Sequence, residues 1–132
     1  MTTAKPVPEA KRPRPAASVE TPPEQPYLRF YHSKALRKRT LAVFDKIDAA
    51  EDPTVHRADL AEVIVDLMDS GAAAFFTTPL KHAKVGFLIE QTANLGLAGT
   101  MRVMAGVVRN ITGQMEGAQM RSVCDAIRGF MR

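Results

Sequence analysis

Beyond residue 26 apolar positions recur at three- and four-residue spacings, and nowhere do they alternate with polar ones in the period-two pattern of strands. Leu36, Thr40, Val43, Phe44, Ile47 and Ala50 share one helical face behind Ser33, a residue suited to an N-cap, which predicts a first helix over 33–50. Asp52-Pro53 then supplies a cap with proline at the first helical position, and Leu60, Val63, Ile64 and Leu67 carry a second, acidic helix to a stop at Gly71. The run "GAAAFF" reads as a connector anchored to the core by Phe75 and Phe76, before Thr78-Pro79 opens a third helix through Lys84, Phe87 and Gln91 towards Asn94. Two glycines within "NLGLAG" predict a break or kink. A last helix, from Gly117 to Met131, places Met120, Val123, Cys124, Ile127 and Phe130 on one face.

These elements predict an all-α fold: a four- or five-helix antiparallel bundle forming a single domain over residues 27–132. Residues 1–26 hold seven of the nine prolines and no aromatic residue, leucine or isoleucine, so a disordered, basic, proline-rich tail is expected there.

The stretch "GLAGTMRVMAGVVRNITG", residues 96–113, combines two patterns. Leu97, Met101, Met104, Val108, Ile111 and Met115 alternate spacings of four and three, the a/d seam of a core-facing helix. Gly99, Gly106 and Gly113 recur every seventh residue on the opposite side, next to Ala98, Ala105 and Thr112, with Arg102 and Arg109 along one edge. Glycine inside a helix costs about 1 kcal/mol relative to alanine, so this side-chain-poor strip calls for an offsetting contact. Three explanations fit: another helix of the same chain covers it, making this the central helix; a second copy or another chain's helix docks on it; or the glycines are tolerated on a solvated face. The acidic second helix is the natural internal partner for the arginines.

Composition narrows the function classes. The net charge of +4 divides into +1 over residues 1–26, +5 over 27–40, −6 over 41–70 and +4 over 71–132, so one part of the chain can neutralise another. A lone cysteine, Cys124, makes no intrachain disulfide and fits a reducing cytoplasm, while the N-terminus lacks the apolar core of a signal peptide and integral membrane insertion is not expected. There is no phosphate-binding glycine loop, nucleophile elbow or paired-cysteine motif. His32, His56 and His82 each fall near the start of an expected helix and could gather with Asp59 at one end, but no two have metal-ligand spacing. No catalytic residue, cofactor or metal is therefore assigned.

The expected function is a non-enzymatic, cytoplasmic, helical interaction or regulatory protein. It would bind a protein partner or itself through Ala98, Gly99, Arg102, Ala105, Gly106, Arg109 and Gly113. An alternative is a nucleic-acid-associated accessory protein, in which Arg29, Lys34, Arg37, Lys38 and Arg39 track phosphates, Tyr31 stacks and the tail adds reach. A third reading is an amphipathic binder of a membrane or apolar phase, using the methionine-rich seam with Lys81, Lys84, Arg102 and Arg109.

Overall fold

In a computed structural model, described over residues 26–131, every regular element is helical. The proline-rich tail expected over residues 1–26 lies, but for Pro26, outside the described residues. Helix α1 spans Lys34–Ala49, capped by Ser33, whose Oγ accepts a hydrogen bond from the Leu36 amide. Asp52 caps a 3-10 turn, Pro53–His56, which leads into α2, Arg57–Ala72. A π-helical turn, Ala73–Thr77, joins α2 to α3, Thr78–Ala83; then α4 runs from Phe87 to Thr112 and α5 from Gly117 to Phe130. Glu116 and Gln119 close a reciprocal capping box at the start of α5.

Two boundaries differ from expectation, because a local helix breaker weakens a helix without having to end it. Gly71 does not stop α2, because the backbone stays helical through Ala73, and Pro79 is absorbed instead. Proline lacks the N–H that would bond the Phe75 carbonyl, and its ring crowds that carbonyl, so widening the preceding turn to a π turn relieves both. Gly96 and Gly99 do not break α4 either. The reversal comes earlier, where Lys84 adopts a left-handed conformation (φ 53°) and Gly86 a φ of 104° that side-chain-bearing residues rarely take.

The core belongs to three helices. Val43, Phe44 and Ile47 of α1, Leu60 and Val63 of α2, and Met120 and Cys124 of α5 form one buried cluster with Met131, joined by half-buried Leu41, Ile64, Met115 and Ile127. Each large side chain removed from water in this way contributes roughly 1.5–3 kcal/mol. Phe130 and Phe75, expected inside, are exposed instead, as is Phe76. Met131 takes the core place at the end of α5, and Phe75 packs edge-on against Phe30 (centroids 5.3 Å apart), outside the core.

Arginines lock the antiparallel α1–α5 pair at both ends. Arg37 donates to the Met131 carbonyl (2.9 Å) and Arg121 to the Ala50 carbonyl (2.8 Å), each satisfying an orphan acceptor at a helix C-terminus. Between them Arg128 meets Asp45 (3.0 Å) and Asp48 (2.6 Å) and lies over the Phe44 ring. Gly117 sits so close to Pro53 that a Cβ there would lie 3.1 Å from its ring, which fixes α5 against the 3-10 turn.

Beside this core α4 packs on α2 and touches the π turn; no other element makes more than a marginal contact with it. It is an edge helix, not the centre of a bundle. Its fully buried residues are only Ala105 and Thr112.

One core group lacks a partner: the Thr40 hydroxyl is fully buried and makes no hydrogen bond among the described residues. Replacing Thr40→Val keeps the shape and removes that unmet donor, so the variant gains about 1 kcal/mol, several degrees in Tm. A lower Tm would show that the hydroxyl has a partner.

A candidate helix-docking surface on α4

The orientation of α4 is set by which of its residues are small enough to approach α2. The core side runs through Leu97, Met101, Ala105, Val108 and Thr112, so the helix is rotated from the seam expected from its methionines. Met104 is 40% exposed and Ile111 53% exposed, while Ala105, placed by sequence on the glycine strip, is buried. The rotation has a steric basis. Ala105 and Thr112 let the α4 backbone come close to α2, which presents buried Ala61 and Val65 outside the main core cluster.

Arg109 fixes the same docking electrostatically. Its Nε donates to Glu62 Oε2 at 2.8 Å and a second guanidinium nitrogen to Oε1 at 3.2 Å, a two-pronged bond from α4 to the acidic α2. The Arg109 bond holds the Glu62 carboxyl below the usual carboxylate range, and Glu62 raises Arg109 in turn. Half-exposed as both are, the pair orients α4 more than it stabilises it. At the loop after α4, Arg57 Nε donates to the Met115 carbonyl at 2.9 Å and ties that end to the start of α2.

The remaining strip residues separate into two groups. Gly113 caps α4, its amide bonded to the Arg109 carbonyl at 2.9 Å. Ala98, Arg102 and Gly106 face solvent, Gly99 is half-exposed, and a Cβ added at Gly96, Gly99 or Gly106 would touch nothing within 4 Å. Among the described residues α2 covers the strip at Ala105 alone, and nothing lies over Gly99 and Gly106.

Beside the glycines lies a feature that the strip alone does not reveal. Ile89, Ala93, Gly96, Thr100, Val103 and Val107 recur at spacings of four, three, four, three and four, a second heptad seam on the side of α4 turned from α2. Val103 is 67%, Ile89 55% and Val107 44% exposed, and Leu88, Met104 and Ile111 flank them. No charged side chain falls on this seam. The spacing is present in the sequence but is overlaid by the stronger methionine seam.

Shallow, open hollows lie at the two ends of α4, one of about 340 Å³ lined by Ile111, Gln114, Met115 and Gln119 and one of about 280 Å³ lined by Phe87, Glu90, Gln91, Asn94 and Leu95. Neither gathers a nucleophile with a base. Cys124 is fully buried, and burial, helped by the charge of Asp48, pushes its thiol up to about 11, so it stays protonated and behaves as a small apolar core residue.

The basic segment is partly committed inside the fold. Arg37 is used at the end of α5, Arg39 pairs with Asp66, and Arg29 lies over the Tyr27 ring and donates to its hydroxyl at 3.4 Å. Lys34 and Lys38 are exposed on α1, and Tyr31 is almost fully exposed. The histidines do not gather: His56 starts α2 and meets Asp59 at 3.7 Å, His32 precedes α1 at the opposite end of the antiparallel pair, and His82 lies beyond the π turn. Among the described residues no group of three or more potential ligands is placed to hold a metal, and no helix is long and apolar enough to cross a membrane.

No known protein family, no curated protein and no solved structure matches the chain, so its own residues carry the functional reading.

Two measurements check this geometry. Gly106→Ala meets no neighbour and gains about 1 kcal/mol in chemical denaturation at low protein concentration; a loss would mean that something covers the strip. Because the Glu62 carboxyl is lowered by folding, its contribution is complete above the ordinary carboxylate range and lost as pH falls through the lowered value. Glu62→Gln therefore flattens the acid limb of a stability–pH curve, and an unchanged limb would contradict the pairing.

Proposed function

We propose that this chain is a cytoplasmic, non-enzymatic helical interaction protein whose α4 presents an apolar face to a helix of another polypeptide. The observation that carries this reading is the second seam: one helix with two apolar seams, only one of them used inside the fold. Large exposed apolar patches rimmed by polar groups mark interaction surfaces, and this one is bordered by exposed Thr92 and Asn110. The glycines at Gly99 and Gly106 flank the seam and let a partner's backbone approach, which answers their cost to helix stability.

The nucleic-acid reading draws less support, since Arg37 and Arg39 are spent on internal partners, which leaves Lys34 and Lys38 as the exposed cations of its α1 stretch without one among the described residues. Phosphate-tracking binding would weaken steeply as salt rises.

The test is a photo-crosslinking residue at Val103, with a second at Lys38 for comparison. Irradiation in cells is expected to give protein adducts of discrete mass from position 103, abolished when Val107→Lys is added, and none from position 38. Adducts that survive Val107→Lys, or none at all from 103, would overturn the reading. Salt-sensitive nucleic-acid adducts from 38 would favour the alternative.

A further inference from the structure

We infer that the occupant of the α4 seam is a second copy of this chain, the two α4 helices crossing at Gly96 about a two-fold axis. The inference rests on the docking function proposed above and adds the identity of the partner.

Side-chain size along the seam has the form a crossing requires. Two straight helices that cross at an angle are closest at one point and diverge on either side, so small residues belong at the centre and larger ones outward. Ala93, Gly96 and Thr100 occupy the centre, and Ile89 and Val103 stand seven residues to either side of Gly96. Further pairs follow the same symmetry about Gly96: Thr92 with Thr100, and Leu88 with Met104. A two-fold contact asks one patch to complement itself, and a chain whose size profile is balanced about one glycine does so.

Charge points the same way. Close to a two-fold axis each side chain meets its own copy, so a charge there would meet its like at close range. Between Glu90 and Arg102 the helix carries none, and neither of those residues lies on the seam. A lipid surface would instead favour cations along the apolar margin, and a partner of opposite charge would call for charges within the face.

Area is sufficient. Leu88, Ile89, Val103, Met104, Val107 and Ile111 all expose a large part of their surface. With the small residues between them they offer on the order of 800 Å², the share that one partner brings to an interface of standard size. The covered face of α4 is on α2, so the second copy approaches without displacing any internal contact.

The experiment combines mass with a cross-link on the axis. In full-length protein carrying Cys124→Ala, a cysteine introduced by Gly96→Cys lies opposite its own copy, whereas one introduced by Gln91→Cys, on the exposed side away from the seam, does not. Light scattering is expected to give twice the chain mass for the native protein and the chain mass for Val103→Lys. Mild oxidation should join Gly96→Cys chains at least tenfold faster than Gln91→Cys chains. Circular dichroism of Val103→Lys should match the native spectrum, since Val103 touches solvent in the single chain. A chain mass for the native protein at high concentration, or equal oxidation rates at the two positions, would overturn the second copy as occupant. If adducts to other chains still formed at position 103, the docking function would stand without it. A dimer that persists in Val103→Lys would overturn the seam itself.

Discussion

Three helices close the core without the fourth, and most of the molecule's character follows from that constraint. Phe44, Ile47, Leu60, Val63, Met120 and Cys124 bury one another fully between α1, α2 and α5. With Leu60 and Val63 turned inward, α2 has only its other side, Ala61 and Val65, to offer α4. A helix of 26 residues, about 39 Å long, therefore leans on a single neighbour. It buries small side chains there, and small side chains return little apolar free energy. The arginine at position 109 supplies register through Glu62, and the face turned from α2 is left free.

Polar chemistry on the core side is used to finish helices. Arg37, Arg57 and Arg121 each reach a carbonyl at a helix end or turn, and Arg128 gathers Asp45 and Asp48 above Phe44. Segmental charge, basic at the start, acidic in the middle and basic at the end, is matched in part within the fold, through Arg39–Asp66, Arg109–Glu62 and Arg128 with Asp45 and Asp48. That is why the basic stretch of α1 presents fewer free cations than its composition implies. The proposed docking surface accordingly lies on the uncharged side of α4 and not on α1.

Much of the core was legible from periodicity. Ser33, Asp52 and the stripe from Thr40 to Ile47 marked α1 and the turn after it correctly, because side-chain caps and helical spacing are local signals. The last helix was legible for the same reason, except at Phe130, where the chain ends its helix and Met131 turns inward. Gly71 and Gly96 misled, because a glycine costs a helix only about 1 kcal/mol and a chain can accommodate a breaker without ending the helix. The π turn before Pro79 is such an accommodation, and no residue pattern announced it. On α4 the glycine heptad marked a helix with an uncovered side, but a 3.6-residue helix with apolar residues around most of its circumference carries more than one seam. Which seam the fold uses was decided by Ala105 and Thr112, through how closely two backbones can approach. The glycines then read differently: two of them, Gly99 and Gly106, border a free apolar face, and Gly113 ends the helix.

Backbone amide hydrogen exchange along α4, followed as a function of protein concentration, tests most directly whether the free seam is covered by another copy. In dilute solution the amides of α1, α2 and α5 should be the most protected and those of residues 89–107 markedly less so. As concentration rises, protection over 89–107 should increase while the three core helices stay unchanged. Protection of α4 that equals the core helices at every concentration, or stays low at every concentration, would contradict the picture of an edge helix completed by its copy.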